Sequence, residues 1–219
     1  MTKPILVIGN KNYSSWSMRP WLALRYLDID FEEIQIPLFT PGYKEKLRAY
    51  SPAGLVPIYR EADVTIWDSL AILEFLAERH PHLWPRKTEA RALARAVSAE
   101  MHAGFQSLRT YLPLNCRARD RRISFTEDVN KDISRVLEIW KQCRGLYRSK
   151  GPWLFGEFSI ADLMYAPVAS RFVTYGVTTG NAAQEYIDAV MNDANVARWM
   201  AEAAAEQETI DAYENIGKP

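Results

Sequence analysis

A chain of 219 residues, 48% hydrophobic, 12% aromatic and 25% charged, has the composition of a soluble globular protein of one or two domains. Its 27 basic side chains balance 27 acidic ones and no uncharged apolar run approaches the ~18 residues of a bilayer span, so neither nucleic acid nor a membrane is an expected partner. Two cysteines, Cys116 and Cys143, without C-x-x-C spacing, make no disulfide framework and point to a reducing cytoplasm.

Met1-Thr2-Lys3-Pro4 and the apolar run behind it are too short for a secretory leader. That run, Ile5-Leu6-Val7-Ile8, stops at Gly9-Asn10 and predicts a strand buried on both faces. Trp21, Leu24 and Leu27 predict a helix over residues 20–27, with Pro20 in its first turn and Ser17 as its cap. Ile34 and Ile36 alternate with polar residues before Pro37 and predict a second strand. A polar helical stretch over residues 43–50 leads to the loop Ser51-Pro52-Ala53-Gly54. Residues 56–60 and 64–67 flank Glu61-Ala62-Asp63 as the arms of a hairpin, and Asp68-Ser69 opens an amphipathic helix that runs to Arg79. The order β-α-β-α-β-β-α describes a small mixed sheet with helices on it.

Pro81 and Pro85 then block helix continuation, which divides the chain into a first domain over residues 1–82, a linker over 83–90 and a second domain over 91–219. The second domain reads as helical throughout. Leu93, Val97, Met101, Phe105, Leu108 and Leu112 keep one helical face. Ser124-x-x-Glu127 is a capping box ahead of the stripe Val129, Ile133, Val136, Trp140 and Cys143. Ser159-x-x-Asp162 is a second box, with Phe158 and Leu163 placed to staple across it. Further helices are expected around residues 182–191 and 196–207.

Three junctions carry candidate chemistry. Ser14 and Ser15 precede the first helix, where backbone donors and the positive end of the macrodipole converge. They either cap the helix or donate a hydroxyl to a bound anion such as a thiolate. Val56-Pro57 either starts a strand in the ordinary trans form or, if cis, turns the Val56 backbone outward to pair with an extended peptide-like ligand. Asp68 and Ser69 either cap the third helix or hold the ammonium and carboxylate of an α-amino acid end. His80, His82 and His102 lack partners at metal-ligand spacing, and no nucleophile elbow, Walker loop or G-x-G-x-x-G occurs, so no metal is expected.

Taken in order, these segments resemble the cytosolic glutathione transferase family over essentially the whole chain. Ser14-Ser15-Trp16-Ser17-x-Arg19 is similar to the S-S-C-S-x-R segment of the zeta class, which includes maleylacetoacetate isomerases. Ser51-Pro52-Ala53-Gly54-Leu55-Val56-Pro57 resembles the family's N-P-x-G-x-V-P segment, whose proline is cis. Asp68-Ser69 matches the acidic-Ser motif, Ser159-Ile160-Ala161-Asp162 the helical-domain capping box, and Gly104-Phe105-Gln106-x-Leu108 a zeta-class segment reaching toward the peptide. The resemblance implies an α+β thioredoxin-like domain followed by an all-α domain, a homodimer, and glutathione as co-substrate with a small electrophile. It implies that Ser14, with Ser15 assisting, hydrogen-bonds the glutathione sulfur and lowers its pKa. Val56 would pair with the cysteinyl backbone, Asp68 with the γ-glutamyl ammonium and Ser69 with its carboxylate, with Gln106 contributing from the helical domain. Met101, Phe105 and Arg171 would line the electrophile pocket, Arg171 either meeting a substrate carboxylate or forming a surface salt bridge. Three activities fit: transfer of glutathione to an electrophile, glutathione-dependent cis–trans isomerisation, or a non-catalytic interaction scaffold. Trp16 stands where the zeta motif has cysteine, which bears on isomerisation more than on glutathione binding.

Overall fold

The computed structural model describes residues 3–218; Pro219 and the first two residues of the N-terminal stretch discussed above, Met1 and Thr2, lie outside the described residues. Strands β1 (Ile5–Ile8), β2 (Glu32–Gln35), β3 (Ile58–Glu61) and β4 (Val64–Trp67) form one sheet in the order β2-β1-β3-β4. β1 runs parallel to β2 and antiparallel to β3, and β3 turns directly into β4. A parallel neighbour requires a crossover, and α1 (Ser15–Tyr26) supplies it. Helices α2 (Tyr43–Arg48) and α3 (Ser69–Arg79) complete the thioredoxin-like arrangement that the alternation of patterns predicts. Successive side chains of β1 take opposite faces. Leu6 and Ile8 join the main core, while Val7 packs with Ile36, Leu47 and Ile58 on the other side of the sheet.

Seven helices follow: α4 (Thr88–Ala103), α5 (Gln106–Tyr111), α6 (Glu127–Tyr147), α7 (Ile160–Thr174), α8 (Asn181–Met191), α9 (Ala194–Ala205) and α10 (Asp211–Glu214). Among the described residues none is long and apolar enough to cross a membrane. One continuous core runs from Leu6 and Trp21 under the sheet to Trp140, Tyr165 and Trp199 among the helices. α1 is its pivot, packed on both α7 and α9, with Trp21 meeting Trp199 edge to face at 5.2 Å. Lys11 is clamped at the same junction by Glu202 and by Glu33 at 2.6 Å, its ammonium 5.0 Å and 5.5 Å from the Trp21 and Trp199 rings.

Four local expectations are corrected. α1 starts at Ser15 with Ser14 as its cap, so Ser17 lies inside the first turn and Pro20 well within the helix. Proline favours the first turn because its missing N–H is orphaned there anyway, but a strong serine cap further upstream sets the start instead. The stripe from Leu93 to Leu112 is two helices, broken where Phe105 adopts a left-handed φ of +58°. Gly104 permits that break, since a Cβ there would sit 2.8 Å from the Glu100 carbonyl oxygen. α6 is capped by Thr126, whose hydroxyl accepts the Val129 N–H at 3.3 Å, and not by Ser124. The short α10 has no periodic signal of its own and was not anticipated.

α7 is buried along almost its whole length, so its amino end must be satisfied without water. Asp162 does this. Its Oδ1 accepts the Leu154 N–H at 3.0 Å, and its Oδ2 accepts the Ser159 N–H at 2.9 Å and hydroxyl at 3.0 Å. Burial nonetheless pushes its carboxyl up to about 6. Asp162→Ala is expected to lower unfolding free energy by about 2 kcal/mol, read as a fall in urea midpoint at unchanged m. The native state retains this proton where the unfolded chain has released it. The group's contribution to wild-type stability is therefore full below pH ~4 and declines through pH 6, so Asp162→Asn should gain on wild type across that window in pH-dependent urea melts.

Candidate functional site

The loop after β1 turns back at Asn10, whose carbonyl accepts the Ser14 N–H at 2.8 Å, and delivers Ser14 and Ser15 to the start of α1. Both are almost fully buried. The Ser14 hydroxyl accepts the Ser17 N–H at 3.3 Å and lies 2.7 Å from the Ser17 hydroxyl, which itself accepts the Gly9 N–H at 3.1 Å. Either hydroxyl of the Ser14–Ser17 pair can be the donor; with Ser17 donating, the oxygen of Ser14 accepts twice and its own proton is left to donate. Such a chain polarises its terminal donor. The Ser15 hydroxyl accepts from Arg171 Nη2 at 3.2 Å, so its proton too is free.

Both serines line a cleft of about 590 Å³ between the two halves of the chain. Val56 and Leu55 enter it from the loop before β3, Gln106, Arg109 and Thr110 from α5, and Tyr213 from α10. The Val56–Pro57 bond is cis. Gln106 lines the cleft, its Oε1 accepting from Arg109 Nη2 at 3.1 Å and its Nε2 donating to the Thr110 hydroxyl at 3.3 Å.

Asp68 and Ser69 are close by but do not form the cleft wall. Asp68 sits at φ +82°, a conformation unusual for a residue with a side chain, and caps α3 by accepting the Leu70 and Ala71 N–H groups at 2.9 Å and 3.1 Å. Its second oxygen is 3.1 Å from His102 Nε2, and the His102 ring meets the edge of Trp16 at 5.4 Å. His102 thus belongs to the site. Searching for metal partners along the sequence passed it over, because its partner is one carboxylate from the other half of the chain. The Ser69 hydroxyl is buried and has no partner among the described residues. An orphaned buried donor beside a helix start suits a carboxylate, so this pair fits an α-amino acid end.

Three arginines surround the serines. Trp16 lies between the guanidiniums of Arg19 at 4.4 Å and Arg109 at 5.2 Å from its ring centre. Arg19 is 1% exposed, and its Nε and Nη1 have no partners among the described residues. Burial, with the charges of Arg171 and Arg109, lowers its pKa to about 9. Arg171 is also buried and lowered by burial to about 10, so both remain cations at neutral pH.

Met101 and Phe105 are corrected. Both belong to the core, Met101 continuing the buried face of Ala94 and Val97 along α4 and Phe105 folded inward by its left-handed backbone. The cleft is instead lined by aromatic residues, Tyr13, Phe39, Tyr43 and Tyr213 among them. Phe39 is 59% exposed at φ +61°, and its ring is 5.6 Å from Tyr43 and 6.4 Å from Tyr213. The tail holds Tyr213 in place. Glu206 accepts the Asn12 N–H at 2.9 Å, Glu214 accepts the Tyr13 hydroxyl at 2.7 Å, and Arg117 donates to the carbonyls of Glu206 and Glu208 at 2.7 Å and 2.8 Å.

Residues 13–79 match the family profile of the glutathione S-transferase N-terminal domain, and residues 115–202 that of the C-terminal domain. The chain is 32% identical over 176 residues to a probable maleylacetoacetate isomerase from Caenorhabditis elegans, covering 78% of this chain and 80% of that protein. It is 30% identical over 171 residues to the maleylacetoacetate isomerase of Rattus norvegicus, covering 75% and 76% respectively. In fold it is similar to a glutathione transferase homologue from Burkholderia gl BGR1 solved with bound glutathione, at a TM-score of 0.71, 22% identity, and coverage of 92% of this chain and 98% of that one. With both domain profiles matched in order and relatives of this identity along most of its length, the chain belongs to the glutathione S-transferase family, on its zeta-like side.

Proposed function

We propose that this chain is a glutathione transferase that uses Ser14, with Ser15 assisting, to hold the glutathione sulfur as a thiolate for addition to a small electrophile. The observation that carries the reading is the hydrogen-bonded cluster of Gly9, Ser17 and Ser14 at the buried start of α1, facing the cleft; when Ser17 donates within it, the Ser14 proton is free for the sulfur. A hydroxyl that already accepts twice is a strengthened donor, and the helix start adds positive potential. Lowering a thiol from about 8.5 toward 6.5 requires roughly 3 kcal/mol of differential stabilisation, the scale of a charge-assisted hydrogen bond plus a dipole.

In this reading the Val56 backbone pairs with the cysteinyl unit of the peptide, Asp68 receives the γ-glutamyl ammonium in place of His102, and Ser69 receives the adjoining carboxylate. Gln106 approaches from α5. No cluster of metal ligands occurs among the described residues, and none of these roles calls for a metal. The thiolate forms the new sulfur–carbon bond with its own electron pair, and the electrophile's leaving group departs with the bonding pair. Residues 1–82 then act as the peptide-binding unit and 91–219 as the wall against which the electrophile rests, joined through 83–90. A cytoplasmic homodimer belongs to the same reading.

Isomerisation is the second reading, favoured by the relatives' names, and it uses the same thiolate reversibly. Net glutathione consumption per turnover separates the two: one equivalent for transfer, none for isomerisation.

Ser14→Ala is expected to lower kcat about 10-fold or more with little change in glutathione affinity, because the contact strengthens as the sulfur ionises. Steady-state kinetics with titration calorimetry checks this, and a larger loss from Ser15→Ala would reverse the roles of the two serines. Ser69→Ala is expected to weaken glutathione binding about 10-fold while leaving the thermal midpoint unchanged, since that hydroxyl has no partner in the fold among the described residues. Phe39→Ala and Tyr213→Ala are each expected to raise KM several-fold for a nitroaromatic electrophile and less for an aliphatic one, read as a ratio of kcat/KM values.

A further inference from the structure

Arg171 was expected to face the second substrate, yet its guanidinium is already occupied. Nε donates to the Leu112 carbonyl at 2.7 Å, Nη1 to the Pro167 carbonyl at 3.3 Å, and Nη2 to the Ser15 hydroxyl at 3.2 Å. All three acceptors are neutral. A buried cation without a carboxylate partner is expensive, and proteins ordinarily place a counter-charge beside it. Lys11 shows that arrangement in the same molecule, held between Glu33 and Glu202. Arg19, next in the field of Arg171, is likewise buried and has orphaned donors. Asp68 acts on Arg19 from its place at the start of α3, but no carboxylate bonds Arg171, and the cleft that Ser15 lines is where a further negative charge can enter.

We propose that Arg171 is a positioning residue for thiol activation: it donates to the oxygen of Ser15, turns that hydroxyl's proton toward the glutathione sulfur, and carries a positive charge that the thiolate balances. This rests on the transferase reading above and adds a second donor line to the site. One line runs from the backbone of Gly9 through Ser17 and Ser14. The other runs from α7 through Arg171 and Ser15, so that the helical half of the chain contributes directly to ionising a peptide bound to the other half. Three of the guanidinium's five N–H groups are committed to these bonds, which fix its plane against Ser15.

The test is the thiol pKa of glutathione bound to the full-length protein, read from thiolate absorbance in ultraviolet difference titration, for wild type, Arg171→Met, Ser15→Ala and the double variant. Ser15→Ala is expected to raise that pKa by about one unit, a tenfold loss of thiolate below the pKa, Arg171→Met to raise it further because the charge is lost as well, and the double variant to raise it no further than Arg171→Met. Calorimetric affinity for S-methylglutathione, which cannot ionise at sulfur, is expected to change less than threefold. Additive shifts in the double variant, or no shift in Arg171→Met, would overturn the proposal. Should Arg171→Met give no cooperative thermal transition, Arg171→Lys replaces it: the ammonium keeps the charge but loses the fork that reaches three acceptors. The same non-additivity with Ser15→Ala is then expected, and additivity again refutes it. A wild-type complex whose thiol titrates like free glutathione refutes the transferase reading itself, which keeps the two failures apart.

Discussion

The start of α1 is buried at the junction of the sheet and the helices, with Ser14, Ser15 and Ser17 all shielded from solvent. A helix terminus in that position must satisfy its first N–H groups and every neighbouring hydroxyl from within the protein. The sequence answers with three serines in four positions, and the bonds they form leave hydroxyl protons unspent on the cleft side. The same packing that buries the terminus also sets its register against α9, because Trp21 against Trp199 and Lys11 between Glu33 and Glu202 fix how α1 meets the helical half.

Charge follows the same logic. The chain is neutral overall, so nothing in its composition draws an anion to it. The attraction is local: two buried guanidiniums sit within reach of each other's field while Asp68 is largely committed to α3 and His102. In a region of low effective dielectric that imbalance weighs more than any number of surface pairs. Lys11 makes a useful internal comparison, since it is equally buried and close by but fully compensated. A cation kept to tie a structure together is given its carboxylates; one left without them has a different partner in prospect.

Much of the fold was legible because it rests on period. Four strands, their order along the chain and most helices follow from alternation or 3–4 spacing of apolar residues, which reflects burial directly. Errors fell where a local signal had a competitor. Pro20 suggested a helix start, but Ser14 provides the stronger cap, and Ser124 was outbid in the same way by Thr126 two residues on. Met101 and Phe105 looked available because a stripe says which face is buried, not whether the burial is against a core or a ligand. His102 and Tyr213, and the bond from Arg171 to Ser15, were beyond reach for a further reason. Their roles depend on Ser15, Asp68 and Phe39, each far away in the chain, and a polar contact across that separation leaves no periodic trace.

Trp16 concentrates the remaining question about chemistry. Its indole is flanked by Arg19 and Arg109 and edged by His102, so it is held from three sides and cannot swing aside without giving up two cation–π contacts. It also covers Arg19, directing that charge toward the serines and away from the open cleft. Addition of a thiolate to an electrophile needs only an approach to sulfur along one direction. Isomerisation needs more, because the adduct must rotate about a carbon–carbon bond while still attached, sweeping a substituent through the space beside the sulfur. A cysteine at this position leaves that space open, whereas a clamped indole fills part of it. Thiolate formation is indifferent to the exchange, since neither donor line passes through residue 16. In the transferase reading proposed above, the thiolate would face a wall that constrains rotation more than approach, a steric arrangement that favours transfer over isomerisation.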